Sequence, residues 1–184
     1  MMNYISAPCQ VAPQAVTLIL MEIQSREATL EELGGLAEKG YVYVVLDACD
    51  APAVPEKARN LGEERALSLY NGTAQEEYWA IAPYLCQADA ALLNWIRDSL
   101  WEEPWGIIAL SKVDFAAMRA HFRKFLIVKS PENEDWYFRF YDPRVLPVFL
   151  ESSNDEELKQ FFGPIQAFAV ASPEKETVRL LRPV

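Results

Sequence analysis

Basic residues, glycine, histidine and paired cysteines are all scarce in this chain of 184 residues, and each scarcity removes a class of function. Lysine and arginine total 17 against 27 aspartates and glutamates, a formal charge of −10 at pH 7. A surface of that sign repels phosphate backbones and anionic lipid headgroups, so neither nucleic acid nor a membrane is the expected partner. Only 7 glycines occur, where average usage of about 7% would supply roughly 13. Phosphate-cradling loops spend glycine freely, and no Walker loop, G-x-G-x-x-G, G-x-S-x-G or H-E-x-x-H is present. The three cysteines, Cys9, Cys49 and Cys86, are odd in number and form no C-x-x-C pair. They fit neither a disulfide framework nor a zinc site, and read as reduced, mostly buried thiols of a cytoplasmic protein. The apolar run Ala15–Met21 is too short to cross a bilayer and has no Lys or Arg before it, so it is not expected to act as a secretory signal.

What the chain does have is the balance of an ordinary globular domain, with 51% hydrophobic and 24% charged residues. The expectation is an irregular arm over residues 1–14, then one α/β domain over 15–184 with a mixed β-sheet flanked by helices. Val16–Ile23 fits a strand or a helix start equally. Thr29 and Glu32 form a T-x-x-E capping box that opens a helix, which Gly40 ends. Tyr41–Leu46 and Trp105–Leu110 read as buried strands, with Ala66–Tyr70 as a further strand. Leu92, Trp95, Ile96 and Leu100 mark an amphipathic helix after Asp89, and Phe115, Met118 and Phe122 mark another after Asp114. Alternation from Trp136 to Tyr141, with Ile127–Val128 and the turn residues Pro131–Asp135, predicts a β-hairpin around residues 126–141. Asp142 then reads as a cap with Pro143 in the first helical position, and Pro147 as the breaker of a short turn. Asn154 caps a helix ended by Gly163-Pro164. Two strands, Gln166–Val170 and Thr177–Leu181, close the chain.

The inventory of reactive groups is thin. His121 is the only histidine. It falls at the edge of an apolar stripe beside Arg119, Arg123 and Lys124 and reads as a half-exposed boundary residue, since no spacing pairs it with a nucleophile. Scattered carboxylates without a second histidine make no metal site. Asp47 ends a strand, where α/β enzymes place functional groups, or it caps the following turn. Asp142 and Arg144, with Arg139 upstream, either bind a ligand or form a capped Asp-Pro turn paired to an arginine. Arg119, Arg123 and Lys124 either receive an acidic partner surface or make the solvated face of their helix.

From Tyr137-Phe-Arg-Phe-Tyr-Asp-Pro-Arg-Val-Leu146 onward the chain resembles the bacterial type VI secretion effector-adaptor, or chaperone, family, whose members were first catalogued as a domain of unknown function. The helix ending at Phe161-Phe-Gly-Pro164 continues the likeness. Tyr43–Ala48, Ala82-Pro-Tyr-Leu85 and Trp105–Ile108 fall upstream in the family's order. The likeness spans about residues 30 to 170, and the Arg-Phe-Tyr-Asp-Pro-Arg string is its specific part. It implies a non-catalytic adaptor that holds a secreted toxin effector and delivers it to the VgrG-type spike protein, with no cofactor and no small-molecule substrate. Arg139, Tyr141, Asp142, Pro143 and Arg144 are then signature positions that organise the fold or an adjoining partner groove. Many relatives carry a further C-terminal helical lobe, and in this sequence, which runs to Val184, the α/β lobe is expected to grip the partner. Two other classes stay open: a small cytoplasmic enzyme using Asp47 or Asp142 as acid–base groups, and a self-associating or immunity-like protein.

Overall fold

The computed structural model describes residues 21–130 and 132–184. The arm expected over residues 1–14, Cys9, and all of the Val16–Ile23 stretch except its last three residues lie outside them. The described chain begins with strand β1 (Ile23–Thr29), which ends at a helix cap. The Thr29 hydroxyl accepts the Glu32 amide at 3.2 Å, and the Glu32 carboxylate accepts the Thr29 amide at 3.3 Å. This reciprocal box starts helix α1 (Leu30–Ala37), which buries Leu33 and Ala37. Strand β2 (Val42–Asp47) is buried along its whole length. Helix α2 (Val54–Leu61), strand β3 (Ala66–Ser68), helix α3 (Gly72–Glu77) and a 3₁₀ turn (Trp79–Ile81) lead to strand β4 (Pro83–Gln87). Asp89 caps helix α4 (Ala90–Ser99) by accepting the Leu92 amide at 2.8 Å.

Strand β5 (Gly106–Ser111) follows, and Asp114 caps helix α5 (Phe115–Arg123). Strands β6 (Ile127–Lys129) and β7 (Asp135–Tyr137) form a separate hairpin. Helices α6 (Leu146–Ser152) and α7 (Asp155–Phe162) precede the last two strands, β8 (Ile165–Ala171) and β9 (Thr177–Pro183).

Seven strands make one sheet in the order β1-β9-β8-β5-β2-β4-β3. The α/β domain is as the sequence led one to expect, but the sheet is antiparallel at every pair, where a mixed sheet was expected. The reason lies in β4, a strand the sequence reading did not find. It inserts between β3 and β2, and both neighbours of β2, namely β4 and β5, run against it. Strands that share a direction are therefore never adjacent.

Alternation along the central strands sends side chains to two cores. Val42, Val44, Leu46 and Ile108 face α1, α2 and α4 in a largely aliphatic layer. Tyr43, Val45, Ile107 and Phe168 face α5, α6 and α7, where Phe122, Phe140 and Phe161 dominate. The join between β2 and β5 requires glycine. Gly106 has φ +141, and a Cβ there would lie 1.9 Å from the Val45 carbonyl oxygen, a backbone atom that cannot yield.

Two local expectations are corrected. The hairpin is real, but its strand ends at Tyr137 instead of running to Tyr141. The Phe138 amide still reaches the Leu126 carbonyl at 2.9 Å, after which Asp142 N–H turns back to the Arg139 carbonyl at 3.1 Å. Phe140 and Tyr141 are consequently both buried, and the alternation is lost. Pro147 does not break a turn: it sits in the first turn of α6, where its missing N–H costs no helical bond.

Candidate functional site

The signature residues gather around the end of β2. Asp47 shares a face with Tyr43 and Val45 by the two-residue period, and it is 1% exposed. A carboxylate so deep in the fold needs donors, and it has two. One oxygen accepts the Cys49 amide at 3.0 Å, and the other accepts the Arg139 guanidinium. Asp50 lies 4.0 Å from the same guanidinium. The hydrogen bond to Asp47 raises the Arg139 pKa above the usual arginine range, so the guanidinium stays charged. Asp47 caps the turn at Cys49, as one of its two readings had it, and it also anchors a segment 92 positions away, which neither reading foresaw.

Asp142 is also buried, yet its partner is local. One oxygen accepts the Arg144 backbone amide and Nε, both at 2.9 Å, and the other accepts Nη2 at 2.6 Å. Burial pushes the Asp142 carboxyl towards neutrality, but the Arg144 side-chain and backbone hydrogen bonds outweigh it and hold the pKa below the ordinary value. Pro143 supplies a preset φ inside this turn, which the Val145 amide closes on the Asp142 carbonyl at 3.0 Å. The turn delays the helix expected at Pro143 until Leu146.

Between the two ion pairs, Phe140 is the wedge. Its ring stacks on Phe122 at 5.3 Å and meets Phe161 edge-on at 5.8 Å. The Tyr141 hydroxyl lies 3.0 Å from that of Tyr137. Burial raises both phenol pKa values well above ordinary tyrosine, so both hydroxyls stay protonated across the physiological range. The segment after the hairpin is tied to the end of β2 by the Asp47–Arg139 pair and to α5 and α7 by the Phe140 ring, while the Asp142–Arg144 pair and the Tyr137–Tyr141 contact fix its own turn.

The other candidates fall elsewhere. His121 is not a half-exposed boundary residue: it is buried, and its Nε2 donates to the Phe161 carbonyl at 2.8 Å. Gly163 makes room for it, because a Cβ there would lie 2.6 Å from the imidazole. Arg119 is not part of a solvated face: it donates to the carbonyls of Ser68 and Tyr70 at 2.8–3.1 Å and ties α5 to the end of β3. Cys86 is buried as expected, whereas Cys49 is exposed. Among the described residues no cluster of His, Cys, Asp and Glu is placed to hold a metal ion. Among them, too, no helix is long and apolar enough to cross a membrane.

What the anchored segment leaves outward is the hairpin. Ile127 is 52%, Trp136 53% and Tyr137 42% exposed. Pairing places Ile127 opposite Tyr137 on one face and Val128 opposite Trp136 on the other. A groove flanks each face. One, of about 470 Å³, runs between Ile127, Tyr137 and the Tyr78–Ile81 turn, and the other, of about 320 Å³, between Val128, Phe138 and Phe149. Sequence reasoning missed Tyr78 and Ile81, which lie in a stretch with neither period.

The family model described as "Domain of unknown function (DUF4123)" matches residues 42–160, more than half of the chain. The chain belongs to that family. The matched region runs from β2 into α7, so it contains both ion pairs and the hairpin, while β1, β8 and β9 lie outside it. Neither the curated proteins nor the solved structures yielded a match.

Proposed function

We propose that this DUF4123 chain is a non-catalytic, cytoplasmic adaptor of type VI secretion, which binds a toxin effector and presents it to the VgrG-type spike protein. The observation that carries this reading is how the Arg139–Arg144 signature is used. Its charged groups are spent on each other and on Asp47, and the result is an aromatic hairpin fixed outward on a rigid base. A binding surface needs that arrangement: anchors held by packing, with large apolar side chains left uncovered. Family membership and the likeness of the Arg-Phe-Tyr-Asp-Pro-Arg string to effector adaptors support the same reading. The enzyme alternative would place acid–base work on Asp47 or Asp142. Each of those carboxylates is already tied to an arginine and lines neither groove beside the hairpin. The test is co-expression of the tagged full chain with a VgrG-type spike protein and a type VI toxin effector of the same bacterium. Copurification of toxin and spike is expected. Copurification of neither, together with a turnover that disappears in Asp142→Asn, would establish the enzyme instead.

A further inference from the structure

The two grooves beside the hairpin differ in charge, and that difference identifies what fits. The Val128 groove carries Glu157 at its rim. The groove on the Ile127–Tyr137 face has Arg123 as its one charged lining residue. Tyr78 and Ile81 form its far wall, 51% and 48% exposed, and Leu126 its floor. Arg123 has no hydrogen bond or ion pair among the described residues, so its charge is open to a partner. Arg119 one turn earlier faces the same field. Burial, and then the Arg123 charge, lower its pKa, and its donors are already committed to backbone carbonyls. The local positive charge is therefore uncompensated beside a surface of tyrosine, isoleucine and leucine.

Resting on the adaptor reading, we infer that the Ile127–Tyr137 groove is the effector-gripping site, and that its occupant is an apolar segment of the effector carrying an aspartate or glutamate. The apolar side chains fill the space between Ile127 and Ile81, and the carboxylate forms a forked pair with the Arg123 guanidinium. The Val128 groove, with Glu157 at its edge, repels the same segment, so one hairpin discriminates between its two sides by charge.

The experiment uses the full chain and, as probe, the type VI toxin effector of the co-expression test, with capture quantified at low and high salt. Arg123→Glu is expected to weaken capture at least about tenfold, and Ile127→Ser about five- to tenfold. Arg123→Lys should keep most of the capture. Val148→Ser, at a site 64% exposed on α6 outside both grooves, should leave capture unchanged. Added salt should weaken the wild type more than Arg123→Gln. Unchanged melting temperatures certify that the variants fold. Wild-type capture retained in Arg123→Glu and Ile127→Ser would overturn the groove while leaving the adaptor intact. Equal loss in Val148→Ser would also overturn the groove. A wild type that captures no toxin would remove both.

Discussion

Two neighbouring stretches of chain, Phe138–Leu146 and Ile127–Tyr137, have similar shares of charged residues and opposite fates. In the first, Phe140, Tyr141 and Asp142 are buried and each charge has a near partner. In the second, the aromatic and aliphatic side chains stand in water, and the ion pair, Lys129–Asp135 at 2.6 Å, is about 60% exposed at both ends. The contrast teaches that charge content does not decide burial here. Attachment to the rest of the fold does: one stretch docks on α5 and α7, and the other is held by its own two short strands and, at its end, by the Tyr137 contacts with Tyr70 and Tyr141.

The sharpest way to break the comparison is to shorten one ring in each stretch. Phe140→Ala opens a cavity between Phe122 and Phe161 and is expected to cost about 3–5 kcal/mol. Trp136→Ser, at a position 53% exposed, should cost within about 0.5 kcal/mol in the same urea titration. Equal losses would mean that the hairpin is packed as firmly as its anchor, and the division drawn here would collapse.

The ion pairs offer a second contrast. Arg139→Ala leaves the Asp47 carboxylate buried with only the Cys49 amide, an expected loss of about 3 kcal/mol. Lys129→Ala removes an exposed pair and should cost between about 0 and 1 kcal/mol. A double-mutant cycle between Asp47→Asn and Arg139→Ala should show strong coupling, with the double variant more stable than the two single losses add up to. Additive effects would mean that the two groups act independently.

Much of this anchor was legible in the sequence and some of it was not, for separable reasons. Helix starts at Thr29, Asp89, Asp114 and Asn154 were legible because a cap is a local event, settled within four residues. Strands β2 and β5 were legible because continuous burial leaves continuous apolar runs. β1 was not, since it is an edge strand with mostly exposed residues and shows no alternation. β4 opens on a proline, which reads as a strand breaker, and its omission carried the antiparallel order with it. The signature residues stood out one by one, but the Asp47–Arg139 pair spans 92 positions, and no local pattern encodes it. Arg119 was misjudged because its partners are backbone carbonyls, which no side-chain pattern reveals.

A third test lies behind Phe140, in the aromatic layer that His121 joins through Phe125 at 5.1 Å. Burial lowers the imidazole pKa, Lys124 adds to the effect, and the Phe161 carbonyl opposes it without prevailing. The folded protein therefore holds a neutral ring, while the unfolded chain takes up a proton below about pH 6.5. Stability from this site is complete above that pH and declines as pH falls towards the folded pKa. His121→Gln should cost about 1 kcal/mol at pH 7.5 and lose less stability than the wild type between pH 7.5 and pH 5.5. Parallel declines in urea midpoint would remove His121 from the anchor's pH response.

A further small effect is expected at the residue that joins the two stretches. Tyr137 exposes 42% of its surface to the Ile127 groove, yet its hydroxyl meets that of Tyr141 at the top of the buried layer. Tyr137→Phe keeps the ring and deletes the contact, so it should cost about 0.5–1 kcal/mol and leave the groove's apolar wall in place. If the hydroxyl pair only seals the anchor, toxin capture by Tyr137→Phe stays at the wild-type level while the urea midpoint drops slightly. If capture falls and the midpoint holds, the hydroxyl works for the partner, and Tyr137 belongs wholly to the docking face, with the anchor starting at Phe138.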